Sequence, residues 1–295
     1  MRLILLPLTT TSRMIIAQRT GHTAYVALKP TRLDDKLTLR AHNMWAGWEV
    51  SSTWWKKQIT HWGNKAMDNI SYEEWSLKGV PRAPPGLFAT KPKMWWEFWR
   101  SDNTAHDPRE VEGLVSGRVA IVFPPNLVKE NEVANAVREF AVKKQPYHLK
   151  MMLIYGAVSP LTLPVALLPV IPNLPGFYCL YRMWSHWRAF EGAKLLNRLV
   201  TENRFILEPG HVLDSALKSV SASPEAHVLV SPTGEKTLLD GAQVKMVAEA
   251  LDAQELEGEL HRAVAQVRAR IAKETERVAQ AAAATEKRGE KSAKN

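Results

Sequence analysis

The sequence predicts a mainly helical α+β protein that attaches to a membrane. Three observations indicate this: short β-branched runs near the N-terminus, long helical periodicity elsewhere, and 31 consecutive residues (151–181) without a charge. The chain has 295 residues, a net charge of +9 and a single cysteine, Cys179. These values exclude a disulfide-rich scaffold, a collagen-like chain and a wholly disordered chain.

Positive charge and tryptophan are concentrated before the uncharged segment. Residues 1–150 contain 22 basic and 14 acidic side chains, and nine of the 11 tryptophans precede residue 100. A basic, Trp-rich half beside an uncharged segment favours a membrane surface. We predict four regions: a basic Trp-rich region at 1–125, a membrane-associated region at 126–205, a C-terminal helical region at 206–279 and a disordered tail at 280–295.

Short extended segments open the chain. Residues 2–8, 14–18 and 23–28 are apolar and rich in β-branched or aromatic side chains, and 118–123 has the same character, so we predict a small sheet.

The first 33 residues also carry arginines and hydroxyl groups but no acid, which is the composition of a mitochondrial transit segment. The sequence leaves both interpretations of residues 2–8 open.

Residues 36–70 have the spacing of one amphipathic helix. Trp45, Trp48, Trp55 and Trp62 recur at intervals of three, seven and seven residues, which places their indoles on one stripe. Such a stripe packs into a protein core or, alternatively, lies at a membrane interface with lysines near anionic lipid. A second cluster of aromatic residues follows at 95–99.

The proline-rich segment 151–181 is the strongest functional signal. One bilayer crossing needs about 20 apolar residues, but five prolines interrupt this segment and basic residues flank both of its ends. Two legs of about 15 residues each are too short for two crossings. We therefore predict a re-entrant or shallow hairpin, and the alternative is a buried core segment of a soluble protein. A helix at 126–150, ending or restarting at Pro146, precedes it.

The candidate functional residues lie where this segment is expected to leave the membrane. An interfacial helix is predicted at 182–205, and its start combines tryptophan, arginine and histidine. Asn173 lies between prolines, where its amide can satisfy freed backbone groups. His186 could titrate near neutral pH, or act as a hydrogen-bonding group toward a headgroup or partner. The predicted functional motif is Asn173, Arg182, Trp184, His186, Trp187 and Arg188.

The C-terminal region has the pattern of short strands followed by a helical hairpin. Residues 227–230 and 237–239 are predicted to be an extended pair around a turn at 231–234. Asp240 is expected to cap one helix and Asp252 to begin another. The alanine-, lysine- and glutamate-rich stretch from about residue 280 is predicted to be disordered.

Motifs of enzymes and of metal sites are missing from the sequence. It contains no Walker loop, Rossmann glycine pattern, EF-hand loop or HExxH, and no two histidines are four residues apart. We therefore predict no enzymatic activity, no catalytic residue, no cofactor and no metal site. The basic composition permits nucleic-acid binding, but the uncharged segment has no role in it, so no nucleic-acid partner is predicted. Segment 151–181 also lacks Asp, Glu and His, so the chain alone is not expected to carry ions.

Four stretches of the chain resemble the mitochondrial K⁺/H⁺ exchange-related proteins of fungi. The longest is SPLTLPVALLPVIPNLPGFYCLYRMWSHWRAFEGAKLL at 159–196. The others are RLILLPLTT near the N-terminus, WKKQITHWGNKAMDNISYEEWSLKGVP at 55–81 and ELEGELHRAVAQVRARI at 255–271. The resemblance implies an inner-membrane protein associated with potassium–proton exchange, and it implies no catalytic residues.

The resulting functional hypothesis is a subunit or regulator of potassium/proton exchange in the mitochondrial inner membrane, with flanks facing the matrix. It would support matrix cation and volume homeostasis. The alternative is a membrane-associated assembly scaffold or lipid-organising protein without ion transport. The expected partners are membrane lipids, other inner-membrane proteins and a second copy of the chain.

Overall fold

The computed structural model describes residues 2–18, 40, 43–80, 118–166, 173–221 and 228–293, and the predicted mainly helical α+β fold class is confirmed. The strands are β1 (Arg2–Pro7), β2 (Arg13–Gln18), β3 (Val119–Phe123) and β4 (Phe205–Pro209). The helices are α1 (Trp54–Asp68), α2 (Tyr72–Gly79), α3 (Glu130–Val158), α4 (Leu163–Ala166), α5 (Leu174–Thr201), α6 (His211–Ser221), α7 (Val244–Ala250) and α8 (Glu257–Ala293). A further helical segment spans 43–49.

The four strands form one mixed sheet in the order β2-β1-β3-β4. β1 is antiparallel to β2, with Leu3 opposite Ala17, and parallel to β3, which is in turn parallel to β4. The predicted strands at 2–8, 14–18 and 118–123 are thus confirmed, whereas the predicted segment 23–28 lies outside the described residues. Because β1 lies between two other strands, residues 2–7 are a structural part of the folded protein.

Alternate side chains of β1 enter two different hydrophobic cores. Leu3 and Leu5 pack with side chains from α2, α3 and α5. Ile4 and Leu6 pack with side chains from α6, α7 and α8. The sheet therefore lies between two helical layers, in keeping with a strand whose every residue is apolar from position 3 to 6.

Helices α3 and α5 form an antiparallel hairpin above one face of the sheet. Midway along it His148 of α3 faces His186 of α5, and closer to the turn Tyr155 lies beside Tyr178, with ring centroids 6.3 Å apart. We call residues 151–166 and 173–181 the hairpin tip. The hairpin predicted from the uncharged segment is therefore a feature of the fold, and α5 begins eight residues before the predicted interfacial helix.

The prediction that the first helix of this region ends or restarts at Pro146 is wrong. α3 runs from Glu130 to Val158 with this proline inside it. A proline in a helix interior costs about 3 kcal/mol, because it removes a hydrogen bond and crowds the preceding turn. Here α3 has buried side chains on both sides of the proline, at Ala141 and His148. We attribute the continuity of the helix to this packing.

The single helix predicted over 36–70 is also wrong where the structure describes it. A helical segment at 43–49 is separated from α1 by residues 50–53. Ser51 lies in this break, and its hydroxyl accepts a hydrogen bond from the Thr53 amide at 3.3 Å. Such local bonds compete with helix formation. The second aromatic cluster, at 95–99, lies outside the described residues.

The C-terminal region follows the predicted order of elements with two differences. Asp240 caps the turn that leads into α7 as predicted, by accepting a hydrogen bond from the Gly241 amide at 2.6 Å. Asp252, however, has a φ of 51° and follows the end of α7, whereas α8 begins only at Glu257.

The structure also differs from the disordered tail predicted from residue 280. Helix α8 continues through that stretch to Ala293. Alanine, glutamate and lysine are strong helix formers. Hydrogen bonds from Gln280 to Glu276 and from Thr285 to the Ala281 carbonyl lie along this part of the helix.

Candidate functional site

Helix α2 carries an acidic side chain to the middle of the hairpin. Ser71 caps this helix by accepting a hydrogen bond from the Glu73 amide at 3.3 Å. On α5, Gly192 allows the α2 backbone to approach closely, because a Cβ at that position would lie 2.0 Å from the Leu77 carbonyl oxygen. Glu74 is consequently only 3% exposed.

Glu74 forms a two-pronged ion pair with Arg182 of α5. Nη1 and Nη2 of the guanidinium donate to the two carboxylate oxygens at 2.8 and 3.0 Å. Ser185, one turn along α5, donates its hydroxyl to the same carboxylate at 2.6 Å. Arg182 is 8% exposed. Breaking a buried pair of this kind is strongly destabilising, because the remaining charge is left uncompensated.

Two buried histidines extend the cluster across the hairpin. Nη2 of Arg182 lies 2.9 Å from Nε2 of His186, and Nδ1 of His186 lies 3.0 Å from Nδ1 of His148. A guanidinium can only donate, so Nε2 of His186 is an acceptor and its Nδ1 carries the proton. That proton is donated to His148, whose own proton is then on Nε2. Among the described residues this Nε2 has no hydrogen-bond partner.

The cluster keeps both histidines neutral at physiological pH. Burial lowers the pKa of His148 to about 4, against the opposing effect of Glu74. Burial and the neighbouring Arg182 charge lower the pKa of His186 to about 4. Burial acts against the charge of Arg182, but Glu74 holds the pKa of the guanidinium above its ordinary value. We call these five side chains the charge cluster: Glu74, His148, Arg182, Ser185 and His186.

The charge cluster contains the side chains of a metal site, one carboxylate and two histidines, but the positive charge of Arg182 beside them disfavours a cation. Glu74, His148 and His186 place ligand atoms within 4.8 Å of one another. A metal ion among them would need the Nδ1 lone pair of His186. Arg182 fixes the opposite tautomer and adds a positive charge beside the site. The geometry therefore favours a hydrogen-bonded ion-pair cluster over a metal centre.

The structure brings two of the six predicted residues, Arg182 and His186, into the charge cluster. Trp184 lies on another side of α5, where its ring is 6.1 Å from that of Tyr181. Trp187 and Arg188 are half-buried on the same helix and make further contacts.

The sixth predicted residue, Asn173, lies at the hairpin tip. It accepts a hydrogen bond from the Gly176 amide at 2.9 Å and donates to the Thr162 carbonyl at 2.9 Å. It therefore caps α5 and ties this helix to the connection that follows α3.

Three members of the charge cluster were missed by sequence reasoning. Ser185 lies three positions after Arg182 and one before His186, so helical spacing could have placed it on their face. Glu74 and His148 lie 108 and 38 positions away from their partners Arg182 and His186. Nothing local links them. The only signal was an arginine within an apolar helix, which requires an acid from elsewhere in the chain.

The hairpin tip exposes apolar side chains. Leu161 and Phe177 are 76% and 65% exposed. The other exposed large apolar members are Leu153, Ile154, Val158, Leu163, Leu174, Tyr178 and Leu180. Contiguous exposed apolar surface marks an interaction site for protein or membrane. Within the described ranges, no helix combines the length and the apolar character that a bilayer crossing requires.

Comparisons with known proteins identify relatives in fungi. The chain is 28% identical to an uncharacterized protein of Schizosaccharomyces pombe over 194 residues, which are 66% of this chain and 74% of that protein. It is 28% identical to an uncharacterized protein of Saccharomyces cerevisiae over 149 residues, 50% of this chain and 47% of that protein. No solved structure matches the chain. Residues 2–200, which include β1, α2 and the hairpin up to the penultimate residue of α5, match the family described as mitochondrial K⁺-H⁺ exchange-related, and the chain belongs to that family.

Proposed function

We propose that this protein is a subunit or regulator of potassium/proton exchange at the mitochondrial inner membrane, where it supports matrix cation and volume homeostasis. The observation that carries the proposal is the hairpin, whose tip exposes apolar side chains while its middle is fixed by the charge cluster. Family membership supports the link to mitochondrial K⁺/H⁺ exchange. The hairpin supports a role at the membrane.

In this proposal the hairpin tip enters the bilayer and the charge cluster stays at the surface. Residues 151–158 of α3 and the tight turn at 159–162 reach about 20 Å, against a hydrocarbon thickness of about 30 Å. The tip would therefore enter the membrane without crossing it. Both flanks would remain on one side, which we propose is the matrix. Complete release of the protein by alkaline carbonate would contradict insertion of the tip.

The chain is proposed to act with partners and not as the ion pathway itself. The charge cluster balances one carboxylate against one guanidinium, and its histidines are neutral, so it offers no spare negative charge to a cation. The tip carries no acidic or basic side chain. Ion pathways through membranes normally place such groups inside the bilayer. Other inner-membrane proteins or a second copy of this chain would supply the pathway.

The test is passive swelling of isolated, de-energised mitochondria in potassium acetate. Mitochondria lacking the protein should fail to swell, and an artificial K⁺/H⁺ exchanger should restore swelling. Wild-type protein should also restore it, whereas Phe177→Asp, at the exposed tip, should not. Val212→Asp is the matched control, since Val212 is 65% exposed on α6, away from the hairpin. Normal swelling without the protein would overturn the proposal.

The second candidate function is a membrane-associated assembly scaffold without ion transport. It is favoured by helix α8, whose last buried residue with a described side chain is Ile271 although the helix extends to Ala293. Such a projecting helix can bind a partner. This function would be indicated by normal swelling combined with altered assembly of inner-membrane complexes when the protein is missing.

A further inference from the structure

Helix α1 presents an aromatic surface to solvent. Trp54, Trp55 and Trp62 are 78%, 38% and 59% exposed, whereas Thr60 on the opposite side is 5% exposed. The helical segment 43–49 covers only part of the tryptophan stripe, through a contact between Trp48 and Trp55 with ring centroids 5.7 Å apart. Of the two interpretations of this stripe, burial in a protein core is therefore wrong for Trp62.

The same helix is basic. Lys56 and Lys65 lie over the rings of Trp55 and Trp62, with Nζ 5.6 and 5.5 Å from the ring centroids. Lys57 adds a third positive charge on the exposed side. The one acid of α1, Asp68, is 3.4 Å from Arg262 of α8, so its charge is largely compensated.

Lysines beside exposed indoles match the chemistry of an anionic membrane surface. Indole rings favour the depth of lipid headgroups, and the lysine stems cover apolar surface while their ammonium groups reach phosphate oxygens. Within the part of the chain that the structure describes, the surface is also convex, since it is one face of a single helix, and so provides no groove for an extended peptide. We call it the α1 face: Trp54, Trp55, Lys57, Trp62 and Lys65.

We propose that the α1 face binds an anionic phospholipid surface through the lipid phosphate groups, as a second membrane contact separate from the hairpin tip. The inference deepens the proposed function and rests on its membrane attachment. The inference concerns only lipid binding, so it and the proposed role in potassium/proton exchange can fail separately. Swelling can depend on the protein when the α1 face binds no lipid, and the α1 face can bind lipid when swelling is normal.

The test measures binding of the full-length chain to vesicles by flotation. One set of vesicles contains phosphatidylcholine alone and the other contains phosphatidylcholine mixed with phosphatidylglycerol. Phe177→Asp weakens the contribution of the hairpin tip by placing a charge among its exposed apolar side chains. Each lysine near an anionic surface increases binding by about fivefold. In this background, Lys57→Gln with Lys65→Gln should lower binding to the anionic vesicles by about 25-fold.

The matched control removes two exposed lysines from α7 and α8, by Lys245→Gln with Lys273→Gln. This pair changes the net charge equally and should lower binding by much less. Equal losses for the two pairs would show an effect of net charge and overturn the proposal. If neither pair of substitutions lowers binding to the anionic vesicles, the α1 face serves another purpose, such as binding a protein partner. That result would overturn the proposal as well.

A probe on the α1 face tests the proposal without disabling the tip. In a Cys179→Ser chain, Gln58→Cys places an environment-sensitive fluorophore between Trp54 and Trp62. Its emission should shift to the blue on anionic vesicles and return when salt is raised, because surface electrostatics are screened. The same probe at Lys245→Cys should not respond. An unchanged emission at position 58 on vesicles that bind the chain would refute lipid contact by this face.

Discussion

Replacing Glu74 by glutamine removes the buried counter-charge of Arg182 while keeping the shape of the side chain. Arg182 is 8% exposed, and among the described residues the acid that it pairs with is Glu74, through bonds of 2.8 and 3.0 Å. Removing one partner of a buried pair costs about 3–5 kcal/mol, because the other charge stays buried without compensation. We expect the free energy of unfolding of Glu74→Gln to fall by that amount.

Urea unfolding followed by far-UV circular dichroism measures this loss. The matched control is Glu73→Gln, one residue away on the same helix. Glu73 pairs with Lys144, but both side chains are more than a quarter exposed. An exposed pair of this kind contributes about 0–1 kcal/mol. We therefore expect the control to unfold within about 1 kcal/mol of the wild type.

A double variant separates the ion pair from other effects of the substitution. Arg182→Met removes the charge that Glu74→Gln leaves unpaired, so the two changes together should cost at least about 2 kcal/mol less than the sum of the single variants. Additive losses, or a loss below about 1 kcal/mol for Glu74→Gln alone, would refute the role assigned to this pair in fixing the middle of the hairpin.

Three further predictions follow from the same contacts. The pKa values of His148 and His186 are lowered to about 4 from 6.5. Between these pH values the unfolded chain therefore takes up protons that the folded chain does not. The free energy of unfolding should fall by about 3 kcal/mol per histidine between pH 6.5 and 4. Urea midpoints across this range should fall with pH and stay level near neutral pH, and His186→Gln should flatten the slope; an unchanged slope would contradict the assigned neutral state. Gly192→Ala should lower the thermal midpoint sharply, because its Cβ would lie 2.0 Å from a backbone oxygen of α2, whereas Gly258→Ala, with open space around it, should not. Asn173→Ala should cost about 1 kcal/mol through the lost cap and loosen the tip, which hydrogen exchange of the first turn of α5 would detect; unchanged exchange there would contradict the capping role.

The hairpin and strands β1 to β3 could be predicted because their signals are local. An uncharged segment bounded by basic residues favours two short legs, and β-branched apolar runs favour strands. The continuation of α3 through Pro146 could not be predicted, because a proline indicates the end of a helix. Only the packing of α3 against α5 shows that the helix continues. The break at Ser51 was missed because the amphipathic spacing of the tryptophans predicts one continuous helix. The local hydrogen bond of the Ser51 hydroxyl, which competes with helix formation, leaves no sign in that spacing.

The candidate site was predictable only on one helix. Arg182 and His186 lie one turn apart on α5, so the sequence places them together before any tertiary contact is known. Glu74 arrives from another helix 108 positions away, and it is the residue that gives the arginine its partner. Chemistry that depends on such a long-range pairing follows from the fold, and the sequence indicates only that an acid is needed.

The two-sided burial of β1 has a consequence for its alignment with β2. In a strand with one polar face, a slip by one residue exposes apolar side chains and is strongly disfavoured. In β1 a slip would exchange leucine and isoleucine between the two cores and expose neither, so hydrophobicity alone does not set the alignment. The turn sets it instead, through the bond from the Leu8 amide to the Ser12 carbonyl at 2.9 Å, together with the far-end bond from Arg2 to Gln18 at 2.6 Å. Lengthening this turn by one residue would therefore misalign both cores at once, although residues 3–6 would still place apolar side chains in both.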